Sequence, residues 1–170
     1  DPLSRLAPQR ARQGLDVAPD VLAIEPAPTD ANAVRAALGL ADEVAMVALV
    51  RLRSAGGEAL VLQRSVFAAS LWSEISNADF ASRSLYDVLA EQCGIALDRA
   101  SETIRAVSLD GDDAALFGIT PGSAALESIR VSRTVDGAAF LYDRALLRGE
   151  ATAIRTERAA AGVRVAFPTL

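Results

Sequence analysis

Apolar residues recur along this chain in two rhythms, and the switches between them mark out its elements. The run "VLAIEPAP" from Val21 predicts a strand ended by Pro26 and Pro28. In "TDANAVRAALGL", Val34, Ala37 and Leu38 make a helical stripe, with Asp30 as candidate cap and Gly39 as the stop. Residues 43–53 then alternate as a long strand, "SAGGE" supplies a turn, and 59–67 return. Residues 70–80 are predicted to be irregular, with Trp72 and Phe80 covering the core edge. "SRSLYDVLAEQCG" reads as a helix with Ser84 as N-cap, Asp87 completing a box-like pattern, Gly94 as the stop, and a stripe of Leu85, Val88, Leu89 and Cys93. Residues 95–109 read as extended and "DGDDAALFG" as a short capped helix. Two further strands, 124–134 and 138–148, flank "VDG", and 151–167 alternates around "VRVAF" as a closing strand. Residues 1–19, with three prolines and no periodicity, read as a linker or docking arm before a domain at 20–167.

The second half of this pattern repeats the first. Gly39 precedes Arg51 by twelve residues, and Gly118 precedes Arg130 by twelve. Gly57 precedes Arg64 by seven, and Gly137 precedes Arg144 by seven. Two strand–helix–hairpin units about eighty residues apart, joined by the 84–93 helix, predict an α+β fold with a pseudo-two-fold antiparallel sheet flanked by helices.

Composition narrows the chemistry more by what is missing than by what is present. Histidine is absent and all seventeen cations are arginine. That removes His bases and ligands, Schiff-base lysines and Ser–His or Cys–His nucleophile pairs. A lone cysteine, Cys93, allows no intrachain disulfide and no structural zinc site of the usual kinds. It reads as a small buried hydrophobe. The net charge of −5 argues against a basic nucleic-acid face. No apolar run is long enough to span a bilayer, so a cytoplasmic protein is expected. Arginine, always charged and fork-shaped, suits the holding of carboxylate or phosphate.

Arg51 and Arg53 lie two apart and project from one face of their strand, the face that also carries Val47 and Leu49. Two readings follow. Either the pair sits at the exposed strand end, bridged to Glu58 or an aspartate and snorkelling into water, or it turns inward and requires an external anion. Ser84 and Tyr86 open the connecting helix, whose free amides offer a second anion seat or a plain cap. Arg64 and Arg144 are expected to be structural.

The stretch from "RLRSAGGEALVLQRSVF" through "SLYDVLAEQCG" and "ITPGSAAL" to "LYDRALLRG" resembles the UTRA effector domain of HutC-type GntR-family bacterial transcription regulators. The likeness runs from about residue 20 to 150. It implies a chorismate-lyase-like fold, often dimeric, binding a small metabolite without a cofactor and without catalysis. In relatives that bind a sugar phosphate, the phosphate meets the positions of Arg51, Arg53, Ser84 and Tyr86. The family's Glu at 63 is Gln63 here, and its Glu and Tyr near the end of the pattern are Leu141 and Leu147. An effector with one acidic group and a less polar body is therefore expected, its pocket shaped by Gln63, Leu141 and Leu147. Residues 1–19 are too short for the winged helix-turn-helix that precedes this domain in the family, so the chain is expected to sense rather than bind DNA. The rival readings are a lyase on the same fold acting on a small carboxylate, and an interaction module with no ligand whose arginines are surface pairs.

Overall fold

The computed structural model describes residues 19–27, 31–159 and 162–166, with backbone alone for Pro19 and for 155–159 and 162–166. The alternating segments become six antiparallel strands: β1 (Pro19–Pro26), β2 (Met46–Ala55), β3 (Glu58–Ala68), β4 (Arg99–Ser108), β5 (Ala124–Arg133) and β6 (Ala139–Arg148). Four helices accompany them: α1 (Asn32–Leu38), α2 (Ala69–Ile75), α3 (Leu85–Cys93) and α4 (Gly111–Phe117). The sheet order β1-β2-β3-β6-β5-β4 is symmetric about the central β3–β6 pair. Unit one (β1, α1, β2, β3) and unit two (β4, α4, β5, β6) thus occupy mirrored places, as the repeat predicts. At the centre Arg64 faces Arg144 across the β3–β6 ladder. These two are equivalent in the repeat (144 − 64 = 80), so the pseudo-two-fold axis passes between them.

Turn chemistry follows the residues. Ala55 pairs with Glu58, and Gly56 and Gly57 both take left-handed backbone (φ 61° and 82°), the conformation that a two-residue hairpin loop requires. Asp110 caps α4 by accepting from the Asp113 amide at 2.8 Å. Asp30, the expected cap of α1, lies outside the described residues, and Ala31 holds the cap position with no side-chain bond.

The two faces of the sheet are covered differently. On one face Leu49, Phe67 and Leu141 pack with Ile75, Leu85, Val88 and Leu89 from α2 and α3. On the other, α4 covers Val50, Leu62 and Leu146 with Ala114 and Phe117, while α1 brings Leu38 onto Ala48 and Val66. On that second face the like charges Arg64 and Arg144, direct cross-strand neighbours, are bridged by Asp113 of α4 at 2.8 and 3.3 Å. Arg144 also donates from Nε to Glu127 at 2.6 Å, and Arg105 donates to the other Glu127 oxygen at 2.5 Å. Burial alone would raise the Glu127 carboxyl, but these two guanidiniums hold it below its ordinary value. Both central arginines are therefore structural, as expected.

Two expectations change. Residues 69–75 form the helix α2, because Leu71, Trp72 and Ile75 meet the core at helical spacing. Trp72 stacks on Phe80 with ring centroids 6.0 Å apart, which is the covering role expected of both. The closing strand is also corrected. Residues 155–159 and 162–166 (β7 and β8) pair with each other in a separate two-stranded sheet, since alternation alone cannot choose a strand's partner. The arm expected over 1–19 lies outside the described residues, apart from Pro19 at the start of β1.

Gly149 follows β6 in a single 3-10 turn where the chain presses against β5. A Cβ there would lie 2.5 Å from the Ala124 carbonyl oxygen. Gly149→Ala is expected to destabilise the fold by about 1–3 kcal/mol, as over-packing against backbone does. Urea unfolding checks this, the midpoint falling with an unchanged slope.

Candidate functional site

Strand register decides which side chains meet. Leu49 and Arg51 alternate onto the face covered by α2 and α3, but these helices cap only the Leu49 end. The ladder sets Arg51 beside Gln63, Ser65 beside Asp143, and Asp143 beside Arg130. One polar cluster therefore straddles the centre of the sheet, under the N-terminal end of α3.

Asp143 is the hub. Its Oδ1 accepts from Ser65 Oγ at 2.5 Å and from Gln63 Nε2 at 2.9 Å, and its Oδ2 accepts from the Tyr86 hydroxyl at 3.1 Å. The same hydroxyl lies 2.8 Å from Ser132 Oγ. The guanidinium of Arg130 sits 5.4 Å from the Tyr86 ring centroid, and Phe140 meets that ring edge-on at 6.4 Å. Phe140 can do so because a register shift after Ser132 leaves it without a ladder partner and turns it to the side of Leu141. Burial, followed by the Asp143 charge, pushes the Tyr86 phenol above its usual value, so Tyr86 acts here as a neutral donor.

Arg51 is 3% exposed. Its single hydrogen bond is a long one, 3.5 Å from Nη2 to Ser65 Oγ, and its buried Nε has no partner. Among the described residues no carboxylate comes within ion-pair distance of it or of Arg53, which makes no hydrogen bond there either. Burial depresses the Arg51 guanidinium despite the nearby charge of Asp143. Arg53 is pulled down to about 10 by burial and then by the charge of Arg51, with Asp143 opposing. The exposed, paired alternative is thus excluded for Arg51, and Glu58, its imagined partner, meets Arg148 instead. A buried guanidinium with one long bond, beside a half-buried one with none, forms a seat for an anion.

Of the seven residues singled out from sequence, Arg51, Arg53, Gln63 and Tyr86 come together around Asp143. Ser84 opens α3 at the N-cap position, but its hydroxyl makes no cap bond, so it and the first helix amides remain available. Leu147 lies on the same face and in the same cross-strand row as Arg53, with Val61 between them. Leu141 requires correction. It is fully buried in the α2–α3 core and presents no surface to a ligand. Cys93 lies half-buried against that core, and burial raises its thiol.

Sequence reasoning missed Asp143, Ser65, Ser132 and Arg130, and with Asp143 a carboxylate enters a site expected to lack one. A signal existed in the repeat. Arg130 is the equivalent of Arg51 (130 − 51 = 79), Ser132 that of Arg53 (132 − 53 = 79) and Asp143 that of Gln63 (143 − 63 = 80).

Comparison with known proteins identifies the fold. The UTRA domain matches residues 12–153. The chain belongs to the UTRA domain family. Among solved structures, PhnF from Mycobacterium smegmatis superposes with a TM-score of 0.77 at 24% identity, over 85% of this chain and 64% of that one. This UTRA chain thus spans less than two thirds of that PhnF chain. The effector domain of PhnF gives 0.73 at 25% identity, over 82% and 85%. A GntR-family transcriptional regulator from Enterococcus faecalis gives 0.71 at 21%, over 82% and 99%. A search of curated proteins finds no match.

The two kinds of polar residue in this UTRA site should respond oppositely to removal. Tyr86→Phe strips a donor from Asp143 and a hydrogen-bond partner from Ser132 and is expected to cost about 1–3 kcal/mol. Arg51→Met, which deletes a buried charge lacking a bonded counter-ion, is expected to leave ligand-free stability unchanged or raise it by about 1–4 kcal/mol. Chemical denaturation of the two variants in anion-poor buffer separates them.

Proposed function

We propose that this UTRA domain is the effector-sensing and dimerisation domain of a HutC-type GntR regulator, which binds a small anionic metabolite and thereby modulates DNA binding by a separate winged-helix domain. The observation that carries this reading is the burial of Arg51 with an orphaned Nε, beside an Arg53 that makes no hydrogen bond to the described residues. The two forks hold the acidic group, Ser84 and the first amides of α3 close over it, and Tyr86, fixed by Asp143 and Ser132, faces it from the side. Gln63 and Leu147 border the remaining pocket. The reading assigns no reaction and no cofactor. The effector alters DNA affinity only if it binds the DNA-competent and free arrangements of a dimer unequally. A cytoplasmic setting fits such a sensor, and no described helix is long and apolar enough to cross a membrane.

Thermal melts of the chain with phosphate and a panel of small carboxylates and phosphate esters test the reading. An effector at about 100 times its dissociation constant is expected to stabilise the fold by about 2.7 kcal/mol. Arg51→Met/Arg53→Met should melt normally without ligand and show no such gain. A gain that survives in the double variant contradicts the reading.

Affinity should also depend on pH in one direction. With Arg53 at about 10 in the free protein, a bound anion raises that value, so binding takes up a proton above it. Affinity is expected to be flat below pH 9 (roughly one unit under that value) and to fall as pH passes through it. Titration calorimetry across that window checks the sign, and a rise in affinity would contradict it.

A further inference from the structure

We infer that the effector carries an apolar chain, and that the sheet supplies a lane for it leading away from the arginines. This inference rests on the anion seat proposed above and names the chemical class that the seat takes.

The register places Arg53 at the head of one cross-strand row, followed by Val61 on β3, Leu147 on β6, Leu126 on β5 and Ala106 on β4. Directly opposed residues of antiparallel strands point to the same side, so all five share the face of Arg51. Beyond the guanidinium the row holds no polar side chain. Three strand spacings carry it about 14 Å from Arg53 to Leu126.

Helices α2 and α3 cover the opposite end of this face, where Leu49, Phe67 and Leu141 lie, and α1 and α4 pack on the other face. None of Val61, Leu126 and Leu147 belongs to those three clusters, and Leu147, 7% exposed, forms the buried floor between the other two. Val61 and Leu126 keep part of their surface, and Ile104, one row over on β4, is 41% exposed.

An apolar strip headed by a buried and a half-buried cation that lack bonded anions complements one kind of molecule: an acyl or alkyl anion, its head on Arg51 and Arg53 and its chain across Val61, Leu147 and Leu126. A free carboxylate and a phosphate monoester share this chemistry, and both belong in the test. A polyol phosphate would leave its hydroxyls against Val61, Leu147 and Leu126, none of which can pair them.

Calorimetric titration of the chain with acetate, hexanoate and octanoate, and with inorganic phosphate against octyl phosphate, decides the matter. Affinity is expected to rise up to about fourfold for each added methylene. Leu126→Thr should weaken octanoate and octyl phosphate about tenfold while leaving inorganic phosphate unchanged. Val61→Thr, an isosteric change at a partly exposed strand position, serves as the second variant, and a melt of each confirms the fold. Binding that is independent of chain length, or long-chain affinity untouched by both variants, overturns the lane and leaves the anion seat standing. Failure of every anion, phosphate included, overturns the seat and the lane together.

Discussion

A guanidinium leaves water only at high cost unless an anion replaces its hydration. In this domain Arg51 has left water with one long bond to a serine hydroxyl and an unbonded Nε. The nearest internal charge, Asp143, cannot relieve it, because that carboxylate is taken up by Ser65, Gln63 and Tyr86. Those bonds hold Asp143 in place and occupy both its oxygens with neutral donors. The folded domain thus holds a standing electrostatic debt at one spot on its sheet, and the hydrophobic cores on either side keep that spot from collapsing.

The central strands carry polar networks on both faces, and the contrast between them is informative. On the α4 side, Arg64, Arg144 and Arg105 meet Asp113 and Glu127, every bond a close one between opposite charges. On the α3 side Asp143 goes to neutral donors, and Arg51 and Arg53 are left without an ion pair among the described residues. Consecutive residues on β3 and β6 serve the two networks, since alternation sends Gln63 and Ser65 one way and Arg64 the other. The same residue type is therefore structural on one face and available on the other, and only the placement of acids distinguishes them.

Much of the fold was legible because the chain states it twice. The two glycine-to-arginine spacings predicted equivalent units, and the symmetric order around Arg64 and Arg144 follows from them. The hairpin at Gly56–Gly57 and the helix 85–93 were readable from turn chemistry and a clean apolar stripe. Helix α2 was not, because seven residues are too few for periodicity to speak over Trp72 and the serines around it. The final hairpin was misassigned because strand pairing is set by tertiary packing. At the site, the alternation of Arg51 with Leu49 pointed to the right face, and the start of the connecting helix pointed to Tyr86. Asp143 escaped because it is one aspartate within a strand, and only its place across from Ser65 and Arg130 gives it meaning. Leu141 was overread, since one residue in a strand does not announce whether the helices above it are closed.

The Nε–Hε resonance of Arg51, followed by nitrogen-15 NMR in anion-free buffer and then with phosphate added, addresses the unpaired guanidinium directly. A proton that exchanges freely without anion, then shifts downfield and becomes protected as phosphate binds, is the predicted result. A resonance already protected in the free protein and unmoved by any anion would show that Arg51 has an internal acceptor, and that this site is not waiting for a ligand.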